Sequence, residues 1–367
     1  MEERSCWLAW SQIPGIGPVL LKRIHEHFGS LAIAWDANPE SLLQVDGIGV
    51  RLSEVVREKR SQLHPARLLQ QYESNNPNFW TPADAAYPRL LFEIPDPPPV
   101  LYYRGRYAQG NNQECAPVIG VVGTRSPSEY GKRWTRKLSR GLTQQGFAIV
   151  SGLAKGIDTE AHQSCLDQKG YTIAVLGTGV DIVYPQSNQA LYEQIASQGL
   201  LLSEHANGVP PDRTHFPRRN RIIAGLSRAI LVTEAPKRSG ALITAHLANE
   251  YGRDVYALPG SLDNPRSLGC LELLNQGGQL ILGSNFLMES LGAAPLLQSA
   301  KEESKPQPEL EPSLNQVFQI IPQEPIFLDR IVEALNIETG VVLSALVQLE
   351  LLGLVTQLPG MHYQRCD

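Results

Sequence analysis

Val118-Ile119-Gly120-Val121-Val122-Gly123-Thr124-Arg125 is a five-residue apolar run that ends in a small-residue turn carrying one cation. A run this short, unbroken by polar residues and closed by turn formers, reads as a strand buried on both faces. Outward from it the same beat recurs. Apolar runs at 147–150, 171–176, 200–203, 229–233 and 254–258 alternate with helical patterns, the rhythm of an α/β fold with an extended Rossmann-like, doubly wound, mostly parallel sheet.

In such a sheet ligands bind outside the carboxyl ends of the strands, so the residues after each run carry the function. After the first come Gly123, Thr124 and Arg125. After the second come Ser151-Gly152-Leu153-Ala154-Lys155-Gly156-Ile157-Asp158, and after the third Gly177-Thr178-Gly179. Small residues expose backbone N–H groups at helix starts, with Arg125 and Lys155 adding full charges, so this rim is predicted to bind anions. The densest basic cluster is His215-Phe216-Pro217-Arg218-Arg219-Asn220-Arg221, with Arg213 beside it. Guanidinium groups match phosphates with a planar fork of donors, and Phe216 offers a flat surface for an unstacked base. The loop Thr233-Glu234-Ala235-Pro236-Lys237-Arg238-Ser239-Gly240 is a further phosphate-type helix start. The basic helix bearing Lys132, Arg133, Arg136, Lys137 and Arg140 surrounds Trp134, Leu138 and Leu142 and reads as an ordinary amphipathic surface helix with a solvated face, a lateral DNA track being the alternative.

A net charge of -5 over 367 residues means that nucleic-acid affinity has to come from such a local patch. Five scattered cysteines, Cys6, Cys115, Cys165, Cys270 and Cys366, never form a C-x-x-C pair, which fits free thiols in a reducing compartment without structural zinc. With no leader pattern and no membrane-length apolar run, the expectation is a soluble, cytoplasmic protein. The chain lacks G-x-x-x-x-G-K-[ST], H-E-x-x-H and G-x-S-x-G, and Ile182 stands where a dinucleotide fingerprint needs its third glycine, so no metal and no cofactor is expected. Asp158, His162, Asp181 and Glu234 have acid-base chemistry, but they form no cluster and read as helix caps or loop hydrogen-bonding residues.

Two similar elements, Ile13-Pro14-Gly15-Ile16-Gly17 and Val45-Asp46-Gly47-Ile48-Gly49, each precede a helical pattern and mark a helix-hairpin-helix (SAM-like) domain over 1–75. The hairpins either hold a phosphate on backbone N–H groups or act as packing modules. Proline and aromatic residues over 76–116 read as an extended connecting segment, 117–293 as the Rossmann-like domain, and 294–313 as a linker too polar to pack. Helical patterns near 314–320, 326–335 and 339–352, then a hairpin around Pro359-Gly360, suggest a winged-helix domain over 314–367.

Val122-Gly123-Thr124-Arg125, Ser151-Gly152-Leu153-Ala154-Lys155-Gly156-Ile157-Asp158 with Ala161-His162, Tyr184-Pro185 with Asn188, Phe216-Pro217-Arg218-Arg219-Asn220-Arg221-Ile222-Ile223-Ala224-Gly225-Leu226-Ser227, Ser239-Gly240 with Thr244-Ala245, and Leu258-Pro259-Gly260 together resemble the signature set of the DNA-processing protein A (DprA/Smf) family. The likeness runs through essentially the whole chain. It implies a non-enzymatic role: binding and protecting single-stranded DNA and helping to load RecA recombinase in natural transformation or recombination. The family's glycine-threonine-arginine turn falls on Gly123, Thr124 and Arg125, and its arginine-asparagine-arginine element on Arg219, Asn220 and Arg221. With the neighbouring loops, the implied DNA-contacting set adds Ser151, Gly152, Lys155, Phe216, Arg218, Ser239 and Gly240. Gly278-Gln279 departs from the glycine-alanine pair common there.

The family also implies a homodimer through about 240–285, where Leu268, Leu271 and Leu274 put apolar surface on more than one helix face. A nucleotide-processing phosphoribohydrolase is the rival of another class, but Pro236-Lys237-Arg238-Ser239-Gly240 lacks the P-G-G-x-G-T loop such an enzyme needs. A pure interaction scaffold is the third reading. In the winged module, residues 338–352 contain Glu338 and Glu350 and no lysine or arginine, so this helix is expected to meet protein in place of a DNA groove.

Overall fold

The computed structural model describes residues 2–76, 78–106, 116–292, 311–322 and 324–365. It divides into two units, residues 1–295 and 296–367. In the first, β1 (Phe79–Trp80), β2 (Leu101–Gly105), β3 (Val118–Val122), β4 (Ala148–Ser151), β5 (Thr172–Val175), β6 (Leu200–Ser203), β7 (Ala229–Val232), β8 (Asp254–Ala257) and β9 (Gln279–Leu280) form one sheet in the order β1-β2-β6-β5-β4-β3-β7-β8-β9. The seven strands from β6 across to β9 are parallel. Strands β4 to β7 are buried at every residue, because helices cover both faces. On one face Glu129–Gln144 and Ile157–Asp167 pack through Leu138, Leu142 and Ile157. On the other, His215–Leu226 and Gly240–Glu250 pack through Ile222, Ile223 and Leu242. The winding reverses between β3 and β7, so the chain leaves those adjacent strands in opposite directions and a crevice opens at their carboxyl ends.

Residues 76–116 differ from the connecting segment expected of their prolines. Their described part is sheet edge: β1 pairs antiparallel with β2, and β2 antiparallel with β6. The aromatics that looked like decoration on a linker are the reason. Trp80 stacks on Tyr103 at 4.2 Å, Phe79, Leu101 and Tyr102 are buried, and the prolines fall in the loop between the strands, where the Tyr87 hydroxyl donates to the Pro98 carbonyl at 2.9 Å.

The amino-terminal helices enclose their own core of Trp7, Trp10, Leu21, Ile24 and Trp35. Gly15 and Gly47 have φ of +88° and +93°, and a Cβ at either would stand 3.0 Å from Leu52 or 2.9 Å from Leu20. Each hairpin thus fits a leucine from the helix that follows the other, which is the packing role. Lys22 Nζ donates to the carbonyls of Glu93 and Ile94 at 2.8 and 2.9 Å, holding this layer to the sheet's edge segment. Cys6, Cys165 and Cys270 are buried free thiols. Cys115, Cys366 and nearly all of the expected 294–313 linker lie outside the described residues.

The second unit holds helices Pro312–Ile320, Leu328–Leu335 and Thr339–Leu351 and an antiparallel sheet of Ile326–Phe327, Val355–Leu358 and His362–Arg365. Ile326–Phe327, read from sequence as the start of a helix, is a short strand paired with His362 and Tyr363. Helix Thr339–Leu351 buries Val342, Leu346 and Leu349 and leaves Val341, Val347 and Leu351 exposed. Arg365 is held by the carbonyls of Phe318 and Gln319. Among the described residues no single helix is long and apolar enough to cross a membrane.

Between the sheet and helix Ile157–Asp167 lies His162, fully buried. Thr172 donates its hydroxyl proton to the Ile149 carbonyl, so the 2.7 Å contact between Thr172 Oγ1 and His162 Nδ1 requires Nδ1 to carry the proton and leaves Nε2 bare. Burial, helped by the charge of Arg219, lowers the His162 pKa from 6.5 to about 3. The unfolded chain therefore takes up this proton near pH 6.5 and the folded chain only near 3, so stability present above 6.5 is lost as pH falls through that window. Denaturant titrations should show this slope in the wild type and a flatter profile in His162→Leu.

Candidate nucleic-acid interface

The β3/β7 crevice holds a cavity of about 670 Å³ bordered by Gly123, Thr124, Arg125, Tyr184, Arg213, Phe216, Asn220, Ser239 and Gly240. A second hollow of about 240 Å³, lined by Gly152, Lys155 and Pro185, shares Arg125, Tyr184, Phe216 and Arg219 with it. Three strand-to-helix turns build the floor, and they lock each other. Ile157 N donates to Thr124 O at 3.1 Å, and Thr124 N to Glu234 O at 2.7 Å. Gly156 has φ of +84°, and a Cβ there would stand 2.8 Å from the Arg125 carbonyl oxygen, so only glycine lets the second turn lie on the first. Helix Gly240–Glu250 opens at this border, capped by Ser239 Oγ accepting from Ala241 N, and the positive end of its dipole faces the cavity mouth. Asn220 Nδ2 donates to Gly240 O at 3.2 Å and sets that helix start against helix His215–Leu226.

The cations of the predicted cluster part company. Arg125, Lys155 and Arg213 are exposed at the cavities and take part in no ion pair among the described residues. Arg219 is 4% exposed, and its Nη1 donates to the carbonyls of Gly152, at 2.7 Å, and Val175. It braces the ends of β4 and β5 from beneath the floor, with burial lowering its pKa to about 10. Arg219 is thus a buried cation at the cavity floor, its Nη1 engaged by backbone carbonyls, where an exposed rim cation was expected. Arg221 is equally buried and pairs with Glu204 at 2.6 Å and Asp96 at 3.3 Å, while Arg218, although exposed, leans on the same Glu204 at 3.6 Å. The helix begins at His215, two residues before Pro217, and neither Arg218 nor Arg221 borders the cavities. Ser151 does not either: it is fully buried, and its hydroxyl donates to Val121 O at 2.6 Å.

Sequence reasoning undervalued Tyr184. Its ring stacks on Phe216 at 5.3 Å with planes 29° apart, and the Arg125 guanidinium lies 5.8 Å from the Phe216 centroid. A flat aromatic pair with a cation over it, open to solvent, takes a base on its face and a phosphate on its edge. The signal available was Tyr184-Pro185 following the β5 turn. The candidate acid-base groups are otherwise engaged. Asp158 Oδ2 accepts from Gly152 N and Ala154 N at 3.1 and 3.3 Å, with burial pushing its pKa up. Glu234 accepts from Ser128 N, Ser128 Oγ and Asn264 Nδ2. Leu268, Leu271 and Leu274 are half-buried, Leu274 against the main core. The more exposed apolar surface beside them is Leu280, Leu282 and Phe286, 40%, 68% and 43% exposed, on and after the open edge strand β9.

Residues 78–292 match the family model for DNA recombination-mediator protein A. The chain belongs to that family. Residues 301–361 of this DprA/Smf chain match the DprA winged helix domain. It is 49% identical to Protein Smf of Synechocystis sp. over 99% of both chains, and 43% identical to the DNA processing protein DprA of Streptococcus pneumoniae over 66% of this chain and 83% of the relative. The X-ray structure of the S. pneumoniae protein superposes with a TM-score of 0.67 at 35% identity, covering 79% of this chain and 98% of that one. A structure of DNA processing protein A from Helicobacter pylori, described for its single-stranded DNA binding mode, does so with a TM-score of 0.53 at 31% identity, covering 58% and 95%.

The brace makes a prediction for this DprA chain. Arg219→Ala leaves two buried carbonyls and the buried Asp158 without their counter-group, so it should lower unfolding stability by on the order of 3 kcal/mol, measurable by urea denaturation without any DNA present. Wild-type stability in that variant would show that Arg219 is not a brace.

Proposed function

We propose that this protein holds single-stranded DNA in the β3/β7 cavity, performs no chemistry on it, and as a homodimer passes the strand to RecA recombinase in transformation or recombination. One observation carries the DNA reading: three unpaired cations, Arg125, Lys155 and Arg213, surround a solvent-facing Tyr184–Phe216 stack at the mouth of a floor made of backbone turns. Phosphates need the first and last of these features, unstacked bases the second, and a paired duplex offers no free base to the aromatic pair. The non-catalytic reading is supported by the hydrogen bonds that engage Asp158 and Glu234 and by the burial of His162. Transfer to RecA rests on family membership. Dimerisation is supported by the apolar edge at Leu280, Leu282 and Phe286 beside β9, an open strand edge that a second copy would cover.

Titration of labelled oligo-dT at several salt concentrations tests the site. If these three cations each meet a phosphate, log K should fall with log[salt] with a slope of about -2. Arg125→Ala should weaken binding by about 1–3 kcal/mol, and unchanged affinity in that folded variant would remove Arg125 from the site. Incubation with a nucleoside monophosphate should release no base; release would favour the phosphoribohydrolase.

Sedimentation tests the assembly. A chain ending at residue 293 should stay dimeric and hold oligo-dT within about tenfold of full length, 1.4 kcal/mol, because helix Thr339–Leu351 carries no cation. Leu282→Glu combined with Phe286→Glu should sediment as a monomer, and a dimer in that variant would place the interface elsewhere.

A further inference from the structure

We propose that the solvent face of helix Glu129–Gln144 is a second anion track, on which a single strand leaving the cavity lays its phosphates. The proposal rests on the reading of the cavity as a single-stranded DNA site and extends its footprint.

The sixteen residues of this helix include five cations and one carboxylate. Lys132 is paired with Glu129 at 2.7 Å and Arg136 with Glu160 at 2.6 Å. Arg133, Lys137 and Arg140 are exposed and have no ion pair among the described residues. They stand four and three residues apart, on one face, along about 10 Å of axis. Like charges at that spacing repel each other, and Lys132 and Arg133 near the amino end oppose the helix dipole. A face built only for solvation mixes both signs. Here Arg133, Lys137 and Arg140 gather one sign along one line of the helix, and that run of unpaired charge is what a lateral DNA track needs beyond an ordinary solvated face.

The opposite side of the helix is fixed. Leu138 and Leu142 are buried, and the Thr135 and Thr233 hydroxyls meet at 2.7 Å, so the cations are presented from a rigid support. The Lys137 ammonium lies 5.4 Å from the centroid of the Trp134 ring, a cation–π contact that restrains a flexible side chain. The face offers chiefly charge, from Arg133, Lys137 and Arg140, and the ligand it suits is a phosphate backbone read without regard to sequence. Its amino end is tied to the cavity, because Ser128 N and Oγ both donate to the Glu234 carboxylate at the end of β7 and the turn just before it supplies Arg125 to the cavity.

The test compares two oligo-dT probes on the full-length protein, one of roughly 6 nucleotides, short enough for the cavity alone, and one of roughly 25. In Arg133→Gln/Lys137→Gln/Arg140→Gln the long probe should bind at least about tenfold more weakly, with a salt slope shallower by about 2 for three lost phosphate contacts, while the short probe keeps its wild-type affinity. Unchanged long-probe binding overturns the track, whether or not the variant loses affinity for an acidic polypeptide such as polyglutamate. Equal loss on both probes also overturns it, since the substitutions would then act through the cavity. A wild type that binds neither probe overturns the cavity reading itself, which separates the two failures.

Discussion

The guanidinium of Arg219 is the interaction on which the rim depends. Three loops that face backbone N–H groups outward must turn some carbonyls inward, and buried carbonyls need donors. Arg219 supplies them at the ends of two adjacent strands, through Gly152 O and Val175 O. Gly152 has no side chain because the guanidinium occupies the space a Cβ would take. An arginine suits this position because a guanidinium stays charged when buried, and here its Nη1 donates to both carbonyls. The floor is thus held from below by one cation so that others can stand free above it.

That division of labour explains which parts of the sequence were legible. The strands were, because burial on both faces leaves an unbroken apolar run that periodicity detects. The turns were too, since Gly123, Gly152 and Gly156 mark places where backbone approaches backbone or guanidinium. The arginine cluster was legible only as a cluster. Its four arginines, Arg213, Arg218, Arg219 and Arg221, have three different fates, decided by partners distant in sequence: Glu204, Asp96 and the β4 and β5 carbonyls. Local spacing fixes which side chains share a helix face, but not what lies opposite that face.

Edge strands posed a similar problem. The aromatics of Phe79-Trp80 and Leu101-Tyr102-Tyr103 sit among prolines, and proline density is the usual mark of connecting chain. Proline is excluded from a central strand but tolerated beside an edge, and these prolines lie in the loop between the two edge strands. Tyr184 was hidden for another reason: its worth comes from stacking on Phe216, thirty-two residues away.

The pairing of β2 with β6, Tyr102 opposite Ser203, constrains the order of assembly on the ribosome. About a hundred residues separate the two strands, so the aromatic hairpin leaves the exit tunnel long before its sheet exists. The amino-terminal helices can close around their own tryptophans meanwhile, but β2 must wait as an unpaired edge while β3, β4 and β5 are made. Non-local pairings of this kind slow folding and leave strand edges open to wrong partners. The prolines in the loop between β1 and β2 and the charge of Arg104 in β2 are features that blunt such edges, and they serve the nascent chain before they serve the finished protein.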